Sequence, residues 1–94
     1  MRVRYSPRAL AQIEEIFAYI AKDNPKAAAA VVHRIETIAL LIGQYPAMGR
    51  PTGLADVRAM SVRPYPYVIF YKVLEEQSEI RVLRVRHTAR QTPR

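Results

Sequence analysis

The run Ile80-Arg81-Val82-Leu83-Arg84-Val85-Arg86-His87-Thr88-Ala89-Arg90 organises the chain. Its first half is rich in β-formers and follows the turn-like residues Glu75-Glu76-Gln77-Ser78, so it reads as a strand over about 79–87. Arginines at 81, 84, 86 and 90 alternate with apolar residues, and no acidic residue follows Glu79. The apolar phase slips at Val82-Leu83, which predicts a bulge. Side chains that must be buried thus share a strand with guanidinium groups that cannot be. The strand is expected to present a row of Arg outside the core.

Working backwards, two more strands are predicted, about 57–63 and 66–74, separated by Pro64 and Pro66. Pro46, Gly49, Pro51 and Gly53 mark an irregular loop before them. Upstream lie two helices, each announced by a capping residue and a proline. Ser6-Pro7 opens one over roughly 8–22, with Leu10, Ile13, Phe17 and Ile20 as the stripe expected to be buried, widened by Ile16. Asn24-Pro25 opens the second over about 25–43, with Ala28, Val31, Val32, Ile35, Ile38, Ala39 and Ile42 inward and Gly43 as its expected C-cap. So short a connection makes an antiparallel helical hairpin. Arg2 to Tyr5 alternates and forms a first strand. The order β-α-α-β-β-β is an α+β fold, a helical hairpin on one face of a mostly antiparallel four-stranded sheet, within one domain spanning 1–94. Nothing in the chain is left to cover the other face, which Tyr65, Tyr67, Tyr71 and several Arg are expected to line.

Composition narrows the function. Ninety-four residues support a modest core, and half of them are apolar, which excludes disorder. The absence of cysteine excludes disulfides and Cys-based metal sites and suits a reducing cytoplasm. The start lacks the apolar segment of an export signal, and the longest uncharged run, Thr37 to Gly49, is 13 residues, shorter than the roughly 20 of a membrane span. The expected setting is soluble and cytoplasmic, without a membrane. The net charge is +7, and twelve of the fifteen basic residues are Arg. Residues 45–94 carry +5 of that charge, which points to a polyanionic or acidic partner on the C-terminal half.

One constellation could carry catalysis: His87 with Arg58, Arg63, Arg84 and Arg86. A metal-free ribonuclease needs a base for the 2′-OH, cations on the phosphate and an acid for the leaving oxygen, roles that His and Arg can fill. The spacing is not a specific motif, and a histidine at a strand end is more often structural. His33 has no partner at metal spacing, and no phosphate loop or Ser/His/Asp set can be assembled. No metal and no cofactor is expected.

Several segments taken in order resemble a known family: Tyr5-Ser6-Pro7 with Ala9 and Leu10, Ile13 through Ile20, Ala27-Ala28 with Ile35, Tyr45-Pro46-Ala47-Met48-Gly49-Arg50, Val57-Arg58, Pro66-Tyr67, Phe70-Tyr71, and Ile80 to His87 ending in Arg90. Together they resemble the ParE branch of the RelE/ParE toxins of bacterial type II toxin–antitoxin modules, also described as plasmid stabilisation proteins. The resemblance implies the fold read above and a growth-inhibiting toxin neutralised by a cognate ParD-like antitoxin in a hetero-oligomeric complex. ParE-like members poison DNA gyrase, whereas RelE-like members cut mRNA on the ribosome. The RelE-like pattern places a Tyr next to or shortly after the position of His87; here Thr88-Ala89-Arg90-Gln91 follows, and no Tyr occurs after Tyr71. The expectation is therefore a non-enzymatic gyrase inhibitor whose target face includes Arg50, Arg58, Arg63, Arg84, Arg86, His87 and Arg90. Leu10, Ile13, Phe17, Tyr67 and Tyr71 are the expected antitoxin contacts. The alternative is a RelE-like endoribonuclease using His87 and the Arg cluster.

Overall fold

Ser6 sets the entry into the helical hairpin. Its hydroxyl accepts the Ala9 N–H at 3.0 Å, and the same oxygen donates to the Leu83 carbonyl at 3.0 Å. One side chain thus caps a helix and ties it to the last strand. In this computed structural model, which describes residues 1–90, the elements run β1 (Arg2–Tyr5), α1 (Pro7–Ala21), α2 (Pro25–Gln44), β2 (Arg50–Pro51), β3 (Val57–Ser61), β4 (Tyr67–Leu74) and β5 (Glu79–His87), followed by a 3-10 turn over Thr88–Arg90. The Asn24 side chain caps α2 by accepting the Ala27 N–H at 3.0 Å.

The sheet has five strands in the order β1-β5-β4-β3-β2. β1 lies parallel to β5, and the other pairs are antiparallel. The fifth strand is β2, inside the loop expected to be irregular; Arg50 and Pro51 pair with Ala59 and Arg58. The bulge falls where the apolar phase slips. Phe70 faces Arg84 and Tyr71 faces Val82, leaving Leu83 as the extra residue.

The hairpin packs on one face through a core of Ala9, Val31, Ile35, Ile38, Ala39, Ile42, Ile69, Tyr71, Ile80, Val82 and Val85. α2 is long and apolar enough to span a bilayer by composition, but seven of its residues are buried inside the fold, and core packing accounts for its character.

Three sequence expectations are corrected. The inward stripe of α1 is Ala9, Ile13, Ile16 and Ile20, while Leu10 and Phe17 stand 51% and 41% exposed. Small Ala9 allows close approach to the sheet, and that rotates the helix away from Leu10. Gly43 lies inside α2 and is buried; Tyr45 is the C-cap. A Cβ on Gly43 would come 2.8 Å from the Met1 carbonyl oxygen, so glycine serves a close approach there. Finally, Tyr67 and Tyr71 do not line the open face. Both are buried on the helix side, and Tyr65 packs against the same core. Alternation in β4 gives the opposite face Val68, Phe70, Lys72 and Leu74 instead.

Candidate functional site, a cationic cleft beside the last strand

The predicted arginines separate into groups with different partners. Arg58 faces the helix side of β3, beside Tyr71. Its Nη1 donates to the Gly49 carbonyl at 2.6 Å and reaches the Ala47 carbonyl at 3.4 Å. The Tyr71 hydroxyl donates to the Pro46 carbonyl at 2.7 Å and accepts the Gly49 N–H at 2.9 Å. A Cβ at Gly49 would lie 2.7 Å from that phenol oxygen and 2.9 Å from the Ala59 carbonyl oxygen. Together these contacts hold the 45–51 loop along β3 and create β2. Burial raises the Tyr71 pKa, opposed by the Gly49 N–H and then by Arg58.

Arg81 is engaged differently. Its guanidinium binds Glu79 at 2.6 and 2.7 Å, and Arg4 approaches the same carboxylate at 3.8 Å. Arg4 and Arg81 are register partners across β1 and β5, a like-charge juxtaposition that buried Glu79 neutralises. Arg50 and Arg63 are exposed, Arg50 on β2 and Arg63 in the β3–β4 turn, where its carbonyl accepts the Arg34 Nε–H at 2.7 Å. The Arg90 side chain lies outside the described residues.

What remains borders one cleft. Because β1 ends at Tyr5 opposite Val82, the last part of β5 is paired with β4 on one side only, and α1 lies along its open edge. The cleft, of about 510 Å³, is lined from α1 by Arg8, Gln12, Glu15, Ile16 and Tyr19 and from the sheet by Tyr67, Arg84, Val85, Arg86 and His87. Arg84, Arg86 and His87 all border it, with His87 on the helix face of β5 and Arg84 and Arg86 on the opposite face. Arg58 does not: it pairs with Tyr71, and His87 pairs with Tyr67, four residues or about 13 Å along β4. Arg8 was missed from the sequence. The readable signal was its place on one helix stripe with Gln12, Glu15, Ile16 and Tyr19.

Local contacts fix His87. Its ring meets the Tyr67 ring edge-on, with centroids 5.3 Å apart and planes at 84°. Its Nδ1 accepts the Ala89 N–H at 3.1 Å, which places the proton of the neutral ring on Nε2. Among the described residues, no three His, Cys, Asp or Glu side chains group to hold a metal.

The chain matches the model of the ParE toxin of type II toxin–antitoxin systems over residues 3–92, and it belongs to that family. It is 40% identical over 92 residues to Y4kP of Sinorhizobium fredii, covering 98% of this chain and 93% of the relative. Toxin RelE2 of Caulobacter vibrioides is 37% identical over 89 residues, covering 95% and 97%. Among solved structures, the chromosomal ParDE system of P. aeruginosa superposes with a TM-score of 0.80 at 23% identity, covering 93% of this chain and 95% of that one. The intact E. coli RelBE toxin–antitoxin complex gives 0.73 at 16%, covering 99% and 98%. At these identities the two superpositions show the shared fold.

Proposed function

We propose that this toxin inhibits growth by binding and poisoning DNA gyrase in the cytoplasm, with the α1–β5 cleft at the centre of its target face. The observation that favours binding over RNA cutting is the state of His87. Its one lone-pair nitrogen is occupied by the Ala89 N–H, so it enters the cleft as a donor and not as a general base. Arg8, Arg84 and Arg86 supply the charge that anchors such an interface, and arginine is a frequent hot-spot residue. Arg63 and Arg50 extend the face as exposed cations, whereas Arg58 contributes through the loop that it holds.

The partner that neutralises the toxin is a cognate ParD-like antitoxin, in keeping with the toxin–antitoxin complexes that share the fold. Leu10 and Phe17 offer it an exposed apolar stripe on α1, with Ile13 beneath. Tyr67 and Tyr71 are core residues, too deeply buried to contact an antitoxin.

Glu15 supports a second reading. A carboxylate in the same cleft as His87 and three arginines could serve as the base of a ribosome-dependent mRNA endonuclease. The deciding assay scores supercoiling and trapped cleaved DNA with purified gyrase, with and without antitoxin. The gyrase reading expects cleaved DNA that disappears on adding antitoxin, and undiminished toxicity in Glu15→Gln. Inert folded protein, together with loss of toxicity in Glu15→Gln, would transfer the argument to mRNA cleavage.

A further inference from the structure

The sheet has a second face, turned away from the helices. We infer that this face docks an acidic protein segment: Arg50 and Arg84 grip carboxylates at the two ends of a row, and Phe70 meets an apolar side chain between them. The choice of partner, an acidic stretch of gyrase, rests on the gyrase reading above, whereas the geometry is that of the strand register.

Register builds the row. Residues paired across an antiparallel ladder share a face. Arg50 pairs with Ala59, Ala59 with Phe70, and Phe70 with Arg84. Phe70 lies outside the core and between inward Ile69 and Tyr71, so the row looks away from the hairpin. Three strand spacings, about 14 Å, separate its two ends. Ala59 is buried at the floor, Phe70 is half-buried and Arg50 is exposed. The Arg50 and Arg84 side chains make no hydrogen bond or ion pair among the described residues, in contrast to Arg58 and Arg81. Two residues along β4, Lys72 adds a third such cation on the same face. Glu79 is the one acidic residue in the described strands, and Arg81 already holds it. The charge of the row is left for a ligand.

Spacing selects the ligand. Alternate side chains of an extended peptide share a face, and positions i and i+4 lie about 13 Å apart. A segment crossing the strands with acidic residues at i and i+4 and an apolar one at i+2 would match the row from Arg50 to Arg84. Nucleic acid fits less well. The middle of the row is Ala59 and Phe70, with no amide or hydroxyl to hold a base edge. Three free cations are also few beside the roughly six to ten phosphate contacts of a strong DNA binder. A second copy would bring like charges together on this face. The apolar stripe offered to the antitoxin, Leu10 and Phe17, is on α1, across the sheet, which leaves the open face to the target. Arg84 also borders the α1–β5 cleft, so the row is continuous with the target face already proposed.

The test uses two probes with the purified toxin: gyrase free of DNA, and a short labelled peptide carrying Glu-x-Leu-x-Glu. Binding is followed by interferometry for gyrase and by anisotropy for the peptide, each across a salt series. Both affinities should fall as salt rises. Arg50→Glu with Arg84→Glu should lower both about tenfold or more. Lys22→Glu with Lys26→Glu makes the same charge change in the helical hairpin and should cost less than about threefold. Should the first pair melt early, Arg50→Glu alone, on exposed β2, serves as the variant. Equal losses in both pairs, binding indifferent to salt, or a parent toxin that ignores the peptide would each overturn the proposal. So would tighter binding of a DNA duplex or single-stranded RNA that the Arg50 and Arg84 variants abolish. Failure of the gyrase reading would appear separately, as no bound gyrase and no trapped cleaved DNA while the peptide still binds through the row.

Discussion

Two arginine-rich regions of this toxin use one residue type in opposite ways. Around the 45–51 loop, Arg58 donates to the protein's own carbonyls, beside a buried tyrosine that bonds the same segment at Pro46 and Gly49. At the α1–β5 cleft, Arg8 and Arg84 border a cavity and make no such bond among the described residues. Geometry makes the difference. A loop passing over β3 brings carbonyl oxygens to Arg58, whereas the overhang of β5 has its outward backbone groups already bonded to Ser6 and Gln12. The number of arginines says little about an interface until the carbonyl oxygens around each are accounted for.

The contrast can be broken by mutation. Gly49→Ala should have the largest effect on stability. The added methyl must displace the Tyr71 ring or the β3 backbone, costing about 3 kcal/mol and lowering Tm by more than about 10 °C in a thermal melt. Tyr71→Phe leaves the Gly49 N–H and the Pro46 carbonyl without their shared partner, and denaturant titration should show a loss of about 2 kcal/mol. Glu79→Gln should cost about 1–2 kcal/mol by the same measurement, below the range for a fully buried pair because Arg4 and Arg81 reach solvent. Arg8→Ala and Arg84→Ala should each stay within about 0.5 kcal/mol of the parent while relieving growth inhibition in cells. A cleft variant as unstable as Tyr71→Phe would erase the distinction between the regions.

Alkaline pH sharpens the comparison from the core side. Burial raises the Tyr71 pKa, and burial followed by Glu36 raises that of Tyr5, so folding favours both neutral phenols. Their contribution is fully present below the ordinary value of 10.0 and is lost as pH rises through the elevated folded values. Unfolding followed by circular dichroism should begin above about pH 10, and Tyr71→Phe should flatten that dependence.

Much of the architecture could be read from local chemistry. Ser6-Pro7 and Asn24-Pro25 place both helix starts through caps that the structure reproduces, and the phase slip at Val82-Leu83 marks the bulge. Long-range features were not legible. The two-residue strand at Arg50–Pro51 exists because Tyr71, over twenty residues later, anchors the loop at Gly49. The α1 stripe had two apolar solutions, and small Ala9 decides between them through contact with the sheet. Arg84, Arg86 and His87 were identifiable from their strand, but the separation of Arg58 from them depends on register. Arg8 enters only once α1 is known to cross β5.

The extra residue in β5 has an evolutionary consequence. With Leu83 set aside, inward Ile80, Val82, Val85 and His87 still alternate with outward Arg81, Arg84 and Arg86. The bulge is therefore not needed to keep the arginines outward; it adds local twist and supplies the carbonyl that receives Ser6. Loss of this one residue would preserve the inside–outside pattern while changing how the strand end meets α1. A lineage could thus reshape the target face through a single-codon deletion, leaving every side chain in the cleft unchanged.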